Sequence, residues 1–152
     1  MPVAHNPDFT VINETGDYIV VDKPAPLLIH PSVPGNPPTL LDGLQALLAY
    51  EIANGAALSI INRLDRETSG VVIVAKNKAT ARKLSLAMQE RRVEKEYLAI
   101  VHGKPRQNRF TVSEPILRAG AVEESAIWVK QIPHPAGSPC CTNFETLGQH
   151  GN

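Results

Sequence analysis

The chain is poor in several things at once. Among 152 residues it has two cysteines, one tryptophan, three tyrosines and three phenylalanines, and its formal charge is zero. The cysteines, Cys140 and Cys141, are adjacent. That placement suits neither an ordinary intrachain disulfide nor a zinc site built from paired ligands. The longest apolar run, Val71–Ala75, falls far short of the roughly 20 residues that cross a bilayer. The opening residues, Met1 to Asp8, carry no basic end followed by an apolar core, so no secretory signal is expected and a reducing, cytoplasmic setting is the default. A hydrophobic share of 43% against 20% charged residues excludes a disordered or fibrous chain. A zero net charge, taken whole, argues against a nucleic-acid partner.

The zero conceals a segregation. Residues 1–62 hold one base and six acids, and residues 110–152 hold two bases and four acids. Residues 63–109 hold twelve bases against five acids, a local net charge of +7. A basic surface attracts phosphates within about 8–10 Å at physiological salt, whatever the total charge. The plainer alternative is that Arg82, Lys83, Arg91 and Arg92 solvate the outer face of a helix.

Hydrophobic periodicity predicts strands at Thr10–Glu14 and Tyr18–Asp22 around a turn at residues 15–17, with a further short strand at Leu27–His30. The Pro-rich stretch Pro31–Pro38 reads as a loop. Thr39 opens a helix with a capping-box pattern and places Leu40, Leu44, Leu47 and Leu48 on one face. Leu58–Ile61 and Val71–Lys76 read as buried strands flanking the polar loop Asn62–Gly70. Lys78–Arg91 suits a helix with Leu84, Ala87 and Met88 turned inward. Strands are expected at Val93–Gly103, Arg109–Ser113, Ala126–Ile132 and Thr142–Leu147, with Pro133–Pro139 interrupting the last two. The pattern is α+β: a mixed, mostly antiparallel central sheet with flanking helices. It is read as a single domain over residues 1–152, with residues 1–112 forming the N-terminal part of the core and 113–152 a hairpin or insert and the start of the second half.

The chemistry concentrates at Arg63-Leu64-Asp65-Arg66-Glu67-Thr68-Ser69-Gly70. A carboxylate between two arginines, on a loop held by two strands, is favoured in its ionised, nucleophilic form. The same residues also suit a plain turn, in which Asp65 accepts backbone hydrogen bonds and Thr68 or Ser69 caps the next element. A hydrolase using Asp65 and Glu67 on a sugar is a third reading, weakened because acids two apart on one loop do not reliably face each other across a substrate.

Four features in order resemble the RluA-type pseudouridine synthases. They are Val20-Val21-Asp22-Lys23-Pro24-Ala25 with His30-Pro31, then Thr39-Leu40-Leu41, then the Arg63–Gly70 loop running into Val74-Ala75-Lys76. The fourth is Val93-Glu94-Lys95-Glu96-Tyr97-Leu98-Ala99, ending at Val101-His102-Gly103. The resemblance implies an enzyme that isomerises uridine in ribosomal or transfer RNA without cofactor or metal. It makes Asp65 the initiating carboxylate and Tyr97 the aromatic that stacks on the extruded base. It offers Arg63, Arg66 and Lys76 as RNA-binding residues, with Arg63 entering the space the flipped base leaves. The exposed bases of Lys78–Arg92 are further phosphate contacts. Lys23 is expected to support the loop, and His30 and His102 to be structural.

The sequence departs from the family at three places. Asn62 stands where a His is usual, Pro26 where a Gly is usual, and no Thr-Gly-Arg-Thr-His-Gln-like motif follows Thr142–Leu147. The basic residue of that motif pairs with the catalytic Asp in the family. The implied protein is therefore a C-terminally truncated synthase with reduced or absent activity alone, the alternative being an RNA-binding fragment or module without turnover.

Overall fold

The computed structural model describes residues 8–31, 38–122, 124, 127 and 130–149. The chain divides into two compact units, residues 1–96 and 97–152, ahead of the boundary near residue 112 that the sequence suggests.

The first unit is built on a four-stranded sheet: β1 (Thr10–Glu14), β2 (Tyr18–Lys23), β3 (Ser59–Ile60) and β4 (Gly70–Ala75), in the order β1-β2-β4-β3. Every pairing in it is antiparallel, so the mixed sheet expected from the sequence is fully antiparallel among the described residues. Strand alternation sorts the side chains. Ile19 lies opposite Val74 and Val21 opposite Val72, and all four are completely buried. Each such burial is worth about 1.5–3 kcal/mol.

That apolar face is covered by α1 (Leu40–Leu47), whose Leu40 and Leu44 are fully buried, together with Leu48 just beyond its end. Thr39 and Asp42 form the expected capping box. Leu47 turns outward, 42% exposed, and Leu48 breaks the helix before the short α2 (Ala49–Ala53). Gly43 allows the close approach of Phe9, since a Cβ there would lie 2.8 Å from the phenyl ring.

The segment Leu27–His30 is not a strand. Its carbonyls serve the helix start instead: Leu28 and Ile29 accept from the Leu40 and Leu41 N–H groups, two of the donors that a helix N-terminus leaves without partners. The Pro-rich loop beyond it lies mostly outside the described residues.

The third helix, α3 (Lys78–Gln89), is capped by Asn77, whose side chain accepts from the Thr80 N–H at 2.9 Å. Leu84, Ala87 and Met88 are half-buried, while Arg82 and Lys83 are exposed. The helix ends in a Schellman turn, with Arg92 N–H donating to Ala87 O at 2.9 Å and Arg91 N–H to Met88 O at 3.1 Å. Arg91 takes the left-handed position, φ 55°, that glycine usually fills, at a cost of about 1 kcal/mol.

The second unit has two ladders. One pairs β5 (Arg109–Val112) with β8 (Thr142–Glu145), and the other pairs β6 (Ile116–Arg118) with β7 (Gln131–Pro133), both antiparallel. The Phe110 and Phe144 rings stack across the first at 4.9 Å. Ile116–Arg118 was not foreseen as a strand, and the start of the expected Ala126–Ile132 strand falls largely outside the described residues. The strand expected at Val93–Gly103 does not form. Its residues have strand-forming side chains, but among the described residues no neighbouring strand offers the backbone groups that a ladder requires. Leu98 is 83% exposed as a result. Among the described residues no helix is long and apolar enough to cross a membrane.

Candidate active site

The loop between β3 and β4 carries Arg63, Asp65 and Arg66, and the fold fixes it at several points. At its start, Asn62 acts as an extra rung of the sheet. Its amide donates to Val71 O at 2.9 Å and accepts from Ile73 N–H at 2.8 Å, continuing the ladder begun by Ile61 N–H to Ile73 O. The sequence shows Asn62 only as a departure from the family, standing where a His is usual, and not how it holds the loop. A primary amide presents one donor and one acceptor side by side, matching the two backbone groups of a strand.

In mid-loop, Leu64 packs against the core and Thr68 N–H closes a turn onto Asp65 O at 3.1 Å. At the far end, Gly70 has φ 127°, a conformation that side chains with a Cβ rarely adopt, and the chain passes there into β4.

Beneath the loop lies Lys23. It ends β2 in the row of core-facing side chains, directly across from Gly70, where no opposing side chain competes for the space. The whole residue is buried. Its ammonium donates to the carbonyls of Pro24 (3.0 Å), Leu27 (2.8 Å) and Arg66 (3.2 Å), which matches its three N–H bonds with three acceptors. The Arg66 carbonyl also accepts from Leu27 N–H at 3.1 Å. Lys23 thus ties the segment after β2 to the middle of the loop, as the supporting role expected from the sequence requires. Burial pushes its pKa below the ordinary lysine value, and the nearby carboxylates of Glu67 and Asp65 oppose that shift. The adjacent Ala25–Pro26 peptide bond is cis.

With the loop's backbone held from below, its functional groups face outward. Arg63, Asp65, Arg66 and Glu67 are all exposed, and Arg66 and Glu67 are 3.8 Å apart at their charged ends. An exposed pair of this kind contributes little to stability, so these charges are available to a ligand. Lys76 differs: it is 5% exposed, and its ammonium is paired with Glu14 and lies 3.8 Å from Glu51. Its charge is answered inside the fold. Tyr97 opens the second unit and is 65% exposed. A shallow cleft of about 360 Å³ adjoins the loop, lined by Asp8, Phe9, Thr10, Asp22, Pro24 and Ser69. Its two carboxylates make it an unfavourable place for a phosphate.

Residues 17–152 match the RNA pseudouridylate synthase family. Ribosomal large subunit pseudouridine synthase D of Haemophilus ducreyi is 36% identical over 151 residues, covering 97% of this chain and 43% of the relative. An uncharacterized RNA pseudouridine synthase of Aquifex aeolicus is 33% identical, covering 83% of this chain and 40% of the relative. The chain thus spans less than half the length of these curated relatives. Two human structures share the fold. RNA Pseudouridylate Synthase Domain Containing 4 superposes with a TM-score of 0.69 at 23% identity, over 93% of this chain and 54% of that one. RNA Pseudouridylate Synthase Domain Containing 1 superposes with a TM-score of 0.66 at 24% identity, over 94% and 53%. A carboxylate raised on an anchored loop between two arginines, and a match that runs through that loop and across most of the chain, lead to one assignment: this chain belongs to the RNA pseudouridylate synthase family.

Proposed function

We propose that this chain isomerises uridine to pseudouridine in RNA, with Asp65 as the initiating carboxylate. The reaction breaks the N1–C1′ glycosidic bond, turns the uracil and rejoins it through C5, and the C5 proton is then lost. Atoms and electrons balance without an oxidant or reductant. Asp65 either attacks C1′ or removes a sugar proton, and both routes need it ionised. Asp65 is exposed on the loop between Arg63 and Arg66, where a substrate can reach it.

The uridine must leave its stack to reach Asp65, at a cost of a few kcal/mol. In this reading Arg63 fills the space it vacates and Arg66 holds phosphate. Tyr97 stacks on the extruded base, a contact worth about 1–3 kcal/mol, and lies near the C5 proton. Lys76 is the weakest of the RNA-contact assignments, because two carboxylates already engage its ammonium. The substrate class is ribosomal or transfer RNA, and no cofactor or metal takes part. A cytoplasmic location accords with that substrate.

The observation that carries the reading is the presentation of Asp65: exposed, and raised on a loop whose backbone is fixed by Asn62, Lys23 and Thr68. Tritium release from RNA labelled at uridine C5 tests it. Release that depends on Asp65 supports catalysis. Tight RNA binding with no release would leave a binding module without turnover, and neither binding nor release would defeat both readings.

A further inference from the structure

The stretch that fails to become a strand is the most exposed apolar run in the chain. Glu94 to Val101 pass without turn, bend or helix, and every residue from Glu94 to Lys104 is exposed. Leu98 and Ile100 are almost wholly open to solvent, and Tyr97 and Val101 mostly so. No backbone group of this stretch pairs with another described residue. Single apolar residues on a surface are ordinary, but a consecutive run with unpaired backbone groups is a template for another chain.

The order of the residues indicates which chain. An antiparallel pair of two identical strands centred on Ala99 sets Leu98 opposite Ile100, Tyr97 opposite Val101 and Glu96 opposite His102. Past the bend at Gly103, the same register brings Glu94 toward Lys104. An aromatic residue across from a β-branched one is a favourable cross-strand pair, as are opposite charges. The small Ala99 meets its own copy on the two-fold axis. Neighbouring registers lose this match: centring on Leu98 sets Glu96 against Ile100 and Lys95 against Val101, and centring on Ile100 sets Leu98 against His102. A closed two-fold dimer requires a surface complementary to itself, and this segment is one.

We propose that two copies of this chain associate by antiparallel pairing of their Glu96–His102 segments, centred on Ala99. The second copy supplies the backbone groups that this stretch lacks within its own chain. The four exposed apolar side chains offer roughly 400 Å² per copy, near half of what a standard interface buries on each partner. The dimer is correspondingly weak, with a Kd on the order of 10–100 µM. This association goes beyond the reaction proposed above and does not depend on it.

Sedimentation equilibrium of the full chain over roughly 1–300 µM tests it. The mean mass should rise from one copy to two and stop there. Ala99→Glu and Ala99→Lys each bring like charges together on the axis, and each alone should associate roughly tenfold more weakly. An equimolar mixture of the two variants should recover the affinity of the unsubstituted chain to within about threefold, because opposite charges then face across the axis. Recovery in the mixture also shows that neither variant has lost its fold. A single copy at every concentration would overturn the proposal, as would growth of the mass beyond two copies. Association that neither substitution weakens, or that the mixture fails to restore, would overturn it too. A chain that stays single while Leu98→Asp loses binding to a uridine-containing RNA stem-loop would assign the segment to RNA instead.

Discussion

The two units draw on different sources of stability. In the first, a leucine-lined helix covers one face of a four-stranded sheet, and ten apolar residues are buried together. In the second, two separate two-stranded ladders hold the chain, and Ala119 is the one buried residue among those described. Isolated two-stranded ladders are marginal in water, so the second unit relies on hydrogen bonds and a stacked phenylalanine pair where the first relies on exclusion of water. The loop that carries Asp65 is mounted on the first. In the proposed reaction a carboxylate must meet a sugar within a fraction of an ångström, which a loop anchored on a packed core can provide.

The comparison is most exposed at Asp65. Asp65→Asn should lower single-turnover pseudouridine formation by at least about a thousandfold, while the Tm stays within about a degree because the side chain is exposed. A large loss of Tm would mean that the loop's chemistry and its stability are not separable. Next in size is Leu44→Ala in the first unit's core. Chemical denaturation should show a loss of about 2–5 kcal/mol, and near-wild-type stability would show that the buried cluster is not the main support of this unit.

Lys23→Met should cost about 2 kcal/mol, since three carbonyls lose a donor while the burden of burying a charge is removed. Its effect should also depend on pH. Because burial lowers the folded-state pKa of Lys23 below its ordinary 10.5, the unfolded chain holds that proton more tightly than the folded one. The associated stability is fully present above the unfolded value and is lost as pH falls through the folded one. Urea titrations should therefore show the stability advantage of the unsubstituted chain over Lys23→Met widening as pH rises toward 10.5, and a constant difference would contradict it. The smallest effect is expected in the second unit. Phe144→Ala should cost about 0.5–1.5 kcal/mol, the worth of an aromatic pair, and a loss as large as that of Leu44→Ala would erase the contrast between the units.

Much of this was legible beforehand because it is local. The alternation in Tyr18–Lys23, the capping box at Thr39–Asp42 and the helix from Lys78 follow from residues within a few positions of one another. The loop at Arg63–Gly70 was likewise marked by its own composition. Lys76 was less readable. A lysine at the end of an apolar strand looks like a surface cation, and only the folded chain brings Glu14 and Glu51 to it, from far away in sequence. The role of Asn62 was not readable either, because its partners, Val71 and Ile73, become neighbours only once β4 turns back alongside.

What the sequence determined by itself is the set of short-range choices: which segments alternate, where a helix begins, and which loop holds a carboxylate between two arginines. Tertiary structure decided how distant groups satisfy one another. It buried Lys23 among three carbonyls beneath that loop, turned Leu27–His30 from a strand into the cap of a helix, and left Val93–Gly103 outside any ladder of the described residues. The reason is physical: a backbone group or a charge must find its partner in space, and a residue's own neighbours in the chain do not say where that partner will be.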